Sequence, residues 1–484
     1  MTIKDLQPAV VWNNFYGLTR CPRPSKHEEV VRKHLLDWAK EHGVEAFADE
    51  TGNVIMRVPA TPGFENRKGV VLQGHMDMVP QKTADTAHDF LKDPIETVID
   101  GEWVKAKGTT LGADNGMGVA FALSVAEDKS VKHGPIEILC TYDEETGMTG
   151  AEALKPGLLK GDILLNLDSE DEKELCIGCA GGLDAMADFK YKTLPVPRGY
   201  VGYKIEIKGL AGGHSGMDIS LYRANANKLM VRLLIPLLER YGAKVAVFNG
   251  GSLRNAIPFE AEAVVALPAE RVAGAQRIIR KLFRFAVERY RQSDPGMQLK
   301  VERVHKPLRY IEDAVMLNAC KAIAACPSNV IRMSQSMPGM TETSINLAVV
   351  RTGRGHIKVA SLLRSALNTS KSDLALRVKY IFEFAGAKVR FFGGYPGWTP
   401  KPETPVNKLI NDLHIKLYGE PMNVFATHGG LECALLGAKY PNWEMVSIGP
   451  TIMYPHSPDE RVHIPAVQRS WELLKAVLEN IPEK

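Results

Sequence analysis

Long apolar runs are absent from this chain. A membrane-spanning helix needs about 18 or more consecutive apolar residues. The best candidate, Leu229 to Leu238, is broken by Arg232 and bounded by Lys228 and Glu239, so no membrane span is expected. Cysteine is scarce and odd in number: seven in 484 residues, at positions 21, 140, 176, 179, 320, 326 and 433. Such scatter does not make a disulfide framework, and a reducing, cytoplasmic location is expected. The first residues lack a charged start followed by an apolar core, so no secretory signal is expected either. Charge of one sign is also lacking. Sixty Lys+Arg against 56 Asp+Glu leave a net +4. That argues against a general nucleic-acid binder, which concentrates basic charge, and against disorder. No low-complexity segment occurs. What remains, 45% hydrophobic and 24% charged residues, is ordinary globular usage with material for two or more domains.

The first 180 residues alternate short apolar strands with helices. Gly69 to Gln73, Pro135 to Thr141 and Asp162 to Leu167 read as buried strands; Glu28 to His42 and Gly116 to Ala126 read as helices. The alternation predicts an α/β fold, a sheet with helices on its faces, and ligands then gather beyond the carboxyl ends of the strands. From about residue 185 the style changes. Tyr200 to Lys208 alternates polar and apolar, as in a half-buried strand, and helices are expected over 224–241, 269–292 and 373–387. Strands are expected on both sides of the loop within 245–266 and at 344–350, 357–363 and 388–392. These elements suggest two similar α/β half-units. The turn-rich Gly393 to Pro400 suits a domain crossing. After it the first style resumes, with a helix over 407–418, a strand over 444–448 and a closing helix over 465–480. The expected organisation is a catalytic domain split between 1–184 and 396–484, with an inserted lid domain over 185–395.

Four clusters carry chemistry. Gly74-His75-Met76-Asp77 follows the first strand, and Leu111-Gly112-Ala113-Asp114-Asn115-Gly116 opens a helix. Asp143-Glu144-Glu145 follows the second strand, and Asn166-Leu167-Asp168-Ser169-Glu170 follows the third. Taken singly, each has a plain structural explanation: an Asp at a helix start is ordinarily an N-cap, and a Glu pair is ordinarily a solvated face. Together, four or five carboxylates at one sheet edge would repel one another and raise their own pKa values. Bound dications relieve that cost, and imidazole with carboxylate suits Zn²⁺, with Mn²⁺ and Co²⁺ chemically admissible.

In order along the chain, these residues resemble the dinuclear zinc peptidases that include aminoacylase, carboxypeptidase G-type enzymes and dipeptidases. Their pattern is His-x-Asp, an Asp, a Glu-Glu pair, an Asp and a late His, here within Pro455-His456-Ser457-Pro458-Asp459-Glu460. Long supporting stretches include His75 to Lys82, Gly108 to Gly116, Gly212-Gly213-His214-Ser215-Gly216, Arg254-Asn255-Ala256-Ile257-Pro258 and Ser447 to Thr451. The likeness is greatest to the dipeptidase branch.

The resemblance implies a phosphorylase/hydrolase-like catalytic domain, with a mixed sheet flanked by helices, and two divalent metal ions per chain. It implies that Asp114 is shared by both ions, that His75 and Asp168 complete one site, and that Glu145 and His456 complete the other. Asp77 then orients His75, and Glu144 is the general base. Bound metals would polarise the peptide carbonyl and acidify a water. His214 and Asn255 are expected to contact the substrate from the lid, Arg364 to clamp its free carboxylate, and His428 to contact substrate from the returning catalytic half. The implied substrate is a small peptide, Xaa-His dipeptides such as carnosine included, with neither nucleic acid nor membrane as partner; a homodimer stays open. Three alternatives also stay open: an N-acyl amino-acid deacylase or carboxypeptidase with the same metals, a silent peptide binder, and a thiol oxidoreductase through Cys176-Ile177-Gly178-Cys179. The last competes with a reading of those two as small buried cysteines.

Overall fold

A computed structural model describes residues 2–484. The chain divides into two compact units. The first comprises Met1–Gly178, Pro400–Ala426 and Leu431–Lys484; the second comprises Cys179–Thr399 and Thr427–Gly430.

The first unit is built on an eight-stranded mixed sheet. Its centre is four parallel strands in the spatial order Ile136–Thr141, Val70–His75, Ile163–Asn166 and Glu444–Ser447. Every residue of the first three is buried. That is the pattern of strands covered on both faces, and it explains why their sequences run as unbroken apolar stretches. Val54–Val58 and Glu45–Ala48 add antiparallel on one flank; on the other Glu174–Cys179 adds antiparallel and Asn423–Thr427 lies beyond it. The helix Ala113–Glu127 is buried almost throughout and packs on Val70–His75. Small residues also let it approach the end of the neighbouring strand: a Cβ at Gly118 would stand 2.4 Å from the carbonyl of Leu167, the residue after Ile163–Asn166.

A smaller four-stranded sheet, in the order Ile452–Met453, Arg461–His463, Trp103–Ala106 and Thr97–Asp100, does separate work. Arg461 pairs with Lys105 and Val462 with Val104. The loop Tyr454 to Glu460 and the segment Lys107 to Gly112 therefore leave the same small sheet, which brings the late His456 to the Asp114 region.

The second unit holds a nine-stranded sheet in which all pairings are antiparallel. It falls into two halves, each with four main strands and two helices. One half has Gln298–Val304, Tyr200–Lys208, Ala261–Pro268 and Lys244–Gly250, with helices Ala226–Tyr241 and Val272–Arg289. The other has Thr341–Gly353, His356–Ser365, Gly181–Lys190 and Lys388–Phe392, with Asp313–Ala325 and Asn368–Phe384. They meet in the sheet through the pair Gly250↔Val350. Between sheet and helices lies one core, including Phe189, Phe248, Leu234, Ile345 and Phe382.

Among the described residues no helix is long and apolar enough to cross a membrane. All seven cysteines are buried. The helix expected over 373–387 begins five residues earlier, at Asn368, since polar Asn368-Thr369-Ser370 can occupy a first helical turn while looking like loop in sequence.

Candidate metal and active site

The parallel strands deliver the predicted residues to one edge. His75 is the last residue of its strand; Glu144 and Glu145 follow Thr141 by three and four residues, and Asp168 follows Asn166 by two. Asp114 has extended backbone angles (φ −83°, ψ 109°) ahead of the regular helix, and its carboxylate stands between two imidazoles. Asp114 Oδ1 is 3.1 Å from His75 Nε2, and Asp114 Oδ2 is 3.0 Å from His456 Nε2. His75 Nε2 also faces Asp168 Oδ1 at 3.4 Å, and His456 Nε2 faces Glu145 Oε1 at 3.0 Å. Asp114 therefore makes no helix cap. All five residues taken as metal ligands converge, and so does Asp77. Its Oδ1 is 3.2 Å from His75 Nδ1, and its two oxygens accept the backbone N–H groups of Glu144 (3.1 Å) and Glu145 (3.2 Å). The Ser25 hydroxyl donates to it at 2.8 Å.

The electrostatics are those of crowded negative charge. Burial, reinforced by Asp114 and Glu145, pushes Asp168 up to about 6 against the pull of His75. Burial with Asp114 and Asp168 pushes Glu170 up to about 8. Glu144 is held well above the ordinary carboxyl range, first by burial, then by Asp168, Glu432 and Glu145 against the opposing pull of His75. His456 is pushed up to about 11 by its hydrogen bonds to Asp114 and Glu145. Burial opposes a similar rise in His75, but Asp168, Asp114 and Asp77 outweigh it. The buried oxygens Glu145 Oε1 and Asp168 Oδ1 face the His456 and His75 imidazoles. His75, Asp114 and Glu145 bring one ligand atom each within 4.8 Å of one another. A carboxylate-and-imidazole donor set this crowded with negative charge, which takes up protons where no cation balances it, fits divalent cations.

Several supporting residues were not anticipated from the sequence. Glu432, fully buried, accepts from the Thr141 hydroxyl (2.6 Å) and the Gln73 amide (2.7 Å), while Gln73 accepts from the Asn166 amide at 2.6 Å. This network ties together the ends of the three strands that carry His75, Glu144–Glu145 and Asp168. Glu28, also fully buried, accepts the Asp143 N–H at 3.0 Å. It thereby holds the left-handed turn (Asp143 φ 54°) from which Glu144 starts. Arg23 and Glu460 brace the Asp114 segment from two sides. The polar residues Gln73, Glu432 and Asn166, set within apolar strand and helix patterns, were the available signal.

The second unit gathers the substrate-contact candidates, and His428 is one of them: Thr427–Gly430 group with this unit, not with the catalytic half expected to carry them. His428 Nε2 meets the Ser344 hydroxyl at 2.7 Å, fastening the segment to strand Thr341–Gly353. Burial, then Arg364, lower the His428 imidazole to about 3, so it is neutral. Arg364 is buried, donates to the Tyr395 hydroxyl at 3.4 Å, and has a buried Nε without a partner among the described residues. His214 lies in the Gly-rich loop, where Nδ1 accepts the N–H groups of Gly216 and Met217, both at 3.3 Å. That leaves the proton on Nε2, and burial together with Arg364 keeps the ring pKa below its ordinary value. Asn255 is exposed; its carbonyl accepts the Ser215 N–H at 2.7 Å.

An acid-and-imidazole cluster at the carboxyl ends of parallel strands, with a donor set that fits dications, is the equipment of a metal-dependent hydrolase. The chain belongs to peptidase family M20/M25/M40, whose model matches residues 71–480. It is 42% identical over 482 residues to the cytosol non-specific dipeptidase of Escherichia coli (strain K12), spanning 100% of this chain and 99% of that protein. It resembles the crystal structure of aminoacylhistidine dipeptidase from Vibrio alginolyticus with a TM-score of 0.94 and 45% identity, covering 100% of this chain and 99% of that one. A Bacillus cereus aminopeptidase shares the fold alone, with a TM-score of 0.58 at 16% identity over 98% of this chain and 99% of that one.

Proposed function

We propose that this chain is a metal-dependent dipeptidase that takes dipeptides with a free carboxylate, Xaa-His dipeptides among them. The observation that carries the reading is the Asp114 carboxylate, with one oxygen on each of two imidazoles and each imidazole facing a further carboxylate. The names of the two relatives above 40% identity support the substrate class.

In this reading Asp114 would be shared by two dications, with His75 and Asp168 completing one site and Glu145 and His456 the other. The donor set favours zinc and also accepts manganese or cobalt. Bound ions would supply Lewis-acid polarisation of the carbonyl and lower the pKa of the attacking water. Glu144 takes that water's proton and returns it to the leaving amine. Asp77 holds His75 through Nδ1 and fixes the Glu144–Glu145 turn through two backbone N–H groups. Substrate contacts in this reading come from His214, whose neutral ring keeps its proton on Nε2, and from Asn255. The Arg364 guanidinium, buried and without a directly bonded carboxylate, takes the substrate's free carboxylate, and His428 lines that subsite. A cytoplasmic location belongs to the same reading and is supported by the name of the E. coli relative. A homodimer is compatible with it and is decided by sedimentation of the purified chain.

The test is a dipeptide panel assayed alongside metal content per chain. Two dications per chain, cleavage of dipeptides, loss of activity with chelator and recovery with zinc are expected. Faster cleavage of N-acetyl amino acids than of dipeptides would shift the assignment to a deacylase. Full activity after removal of metal would end the metal-dependent reading.

A further inference from the structure

Glu460 and Arg23 take no part in the chemistry above, yet both are only 2% exposed and both grip the backbone that presents Asp114. Glu460 Oε2 accepts the N–H groups of Leu111 (2.8 Å) and Gly112 (2.9 Å), and Oε1 accepts that of Asp114 (3.2 Å). From the other side, Arg23 Nη2 donates to the Gly112 carbonyl, while Nη1 donates to the carbonyls of Met76 (3.1 Å) and Asp77 (2.9 Å). The Gly112 backbone is thus held at its N–H by an acid and at its carbonyl by a guanidinium. A Cβ at Gly112 (φ 71°) would stand 2.6 Å from Arg23 Nη2, so the brace leaves no room for a side chain.

The anchors of this brace matter more than its strength. Glu460 lies four residues beyond His456 on the same loop, and Met76–Asp77 directly follow His75. Segment 111–114 is therefore tied through Glu460 to the loop that carries one imidazole and through Arg23 to the strand end that carries the second. We infer that Glu460 and Arg23 are positioning residues. They set the segment so that Asp114 offers one oxygen to each half of the site, and without them the two halves lose their common ligand. This inference rests on the two-ion reading above.

The experiment is manganese titration of Glu460→Gln against the wild-type chain, read by equilibrium dialysis and by the exchange-coupled electron paramagnetic resonance signal of a bridged ion pair. A Gln at 460 keeps one acceptor oxygen and turns an NH₂ toward the remaining N–H groups. The expected result is that the first ion binds as in wild type, the second binds at least ~10-fold more weakly, and the coupled signal that wild type gives when two ions per chain are supplied is lost at that same loading. Val477→Ala, a cavity variant in the buried face of the closing helix, controls for general destabilisation and should keep both ions and the coupling. Two ions bound to Glu460→Gln with wild-type affinity and coupling would overturn the inference. Loss of coupling in Val477→Ala as well would also overturn it. A wild-type chain that takes only one ion would instead defeat the two-ion reading itself. If Glu460→Gln does not fold, Arg23→Lys, which removes the fork but keeps the charge, tests the same segment. Failure of both to fold would make the brace a requirement of the fold as a whole and overturn the site-specific role.

Discussion

Asp77→Asn changes one atom of the site and reaches four neighbours. Asp77 is fully buried, and its carboxylate stays ionised because contacts with His75, Ser25 and the Glu144 N–H outweigh the penalty of burial. An Asn must turn its NH₂ either toward the Glu144 N–H and His75 or toward Ser25 and the Glu145 N–H. The second orientation is better, since the Ser25 hydroxyl can rotate and accept. It still leaves the Glu145 N–H facing a donor in a buried place, which costs about 1–3 kcal/mol. The bonds that survive also lose the charge on their acceptor, which adds about 1 kcal/mol. The expected destabilisation is about 2–4 kcal/mol, measured by urea unfolding of the metal-stripped chain. His75 meanwhile loses an ionised partner at Nδ1, so metal affinity should fall about 10–100-fold, measured by competition with a chelator. A variant that unfolds within about 0.5 kcal/mol of wild type and binds metal normally would refute the role given to Asp77.

Glu144→Gln should bind metal and dipeptide as wild type does yet lose about 10²–10⁴ in kcat; normal turnover would remove Glu144 from the mechanism. Arg364→Lys replaces a fork with a point charge, and kcat/KM for dipeptides should fall about 10–100-fold, matching about 1.5–3 kcal/mol. Dipeptide amides, which lack the carboxylate, should lose little, and an equal loss for both substrates would exclude carboxylate recognition. Glu28 titrates at about 7, raised first by burial and then by Asp77, so the folded chain holds a proton there that the unfolded chain releases near pH 4.5. That contribution to stability is full below pH 4.5 and is lost as pH rises to about 7. In Glu28→Gln the denaturation midpoint should decline less between pH 5 and 7.5 than in wild type; parallel profiles would show that Glu28 does not titrate in that window.

The chemistry was legible in the sequence because strand ends place consecutive residues together. His75, Asp77, Glu144, Glu145 and Asp168 all stand within four residues of a strand's carboxyl end, and apolar runs mark those strands. The bracing residues were not legible in the same way. Arg23 meets Gly112 across 89 residues of sequence, and Glu460 meets Asp114 across 346; no local periodicity encodes such pairings. Strand Gly181–Lys190 lacked a clear signature because Gly181-Gly182-Leu183-Asp184-Ala185 carries no β-branched residue. Ala185, Ala187 and Phe189 are nonetheless deep in the second unit's core, where burial outweighs propensity. His428 was assigned to the catalytic half because its neighbours in sequence belong there, and a hydrogen bond to Ser344 draws it to the other unit.

The 342 residues that separate Asp114 from His456 also have a meaning in time. A ribosome adds about 5–20 residues per second, so Asp114 leaves it roughly 17–70 s before the histidine that completes its surroundings. The strand Glu444–Ser447, which closes the parallel set beside Ile163–Asn166, is equally late. Until then the emerging chain carries crowded carboxylates without their second imidazole, and if two ions share Asp114 as proposed, it cannot hold the pair. If His456 completes that pair as proposed, hydrolytic competence arrives only once the segment 444–460 has emerged.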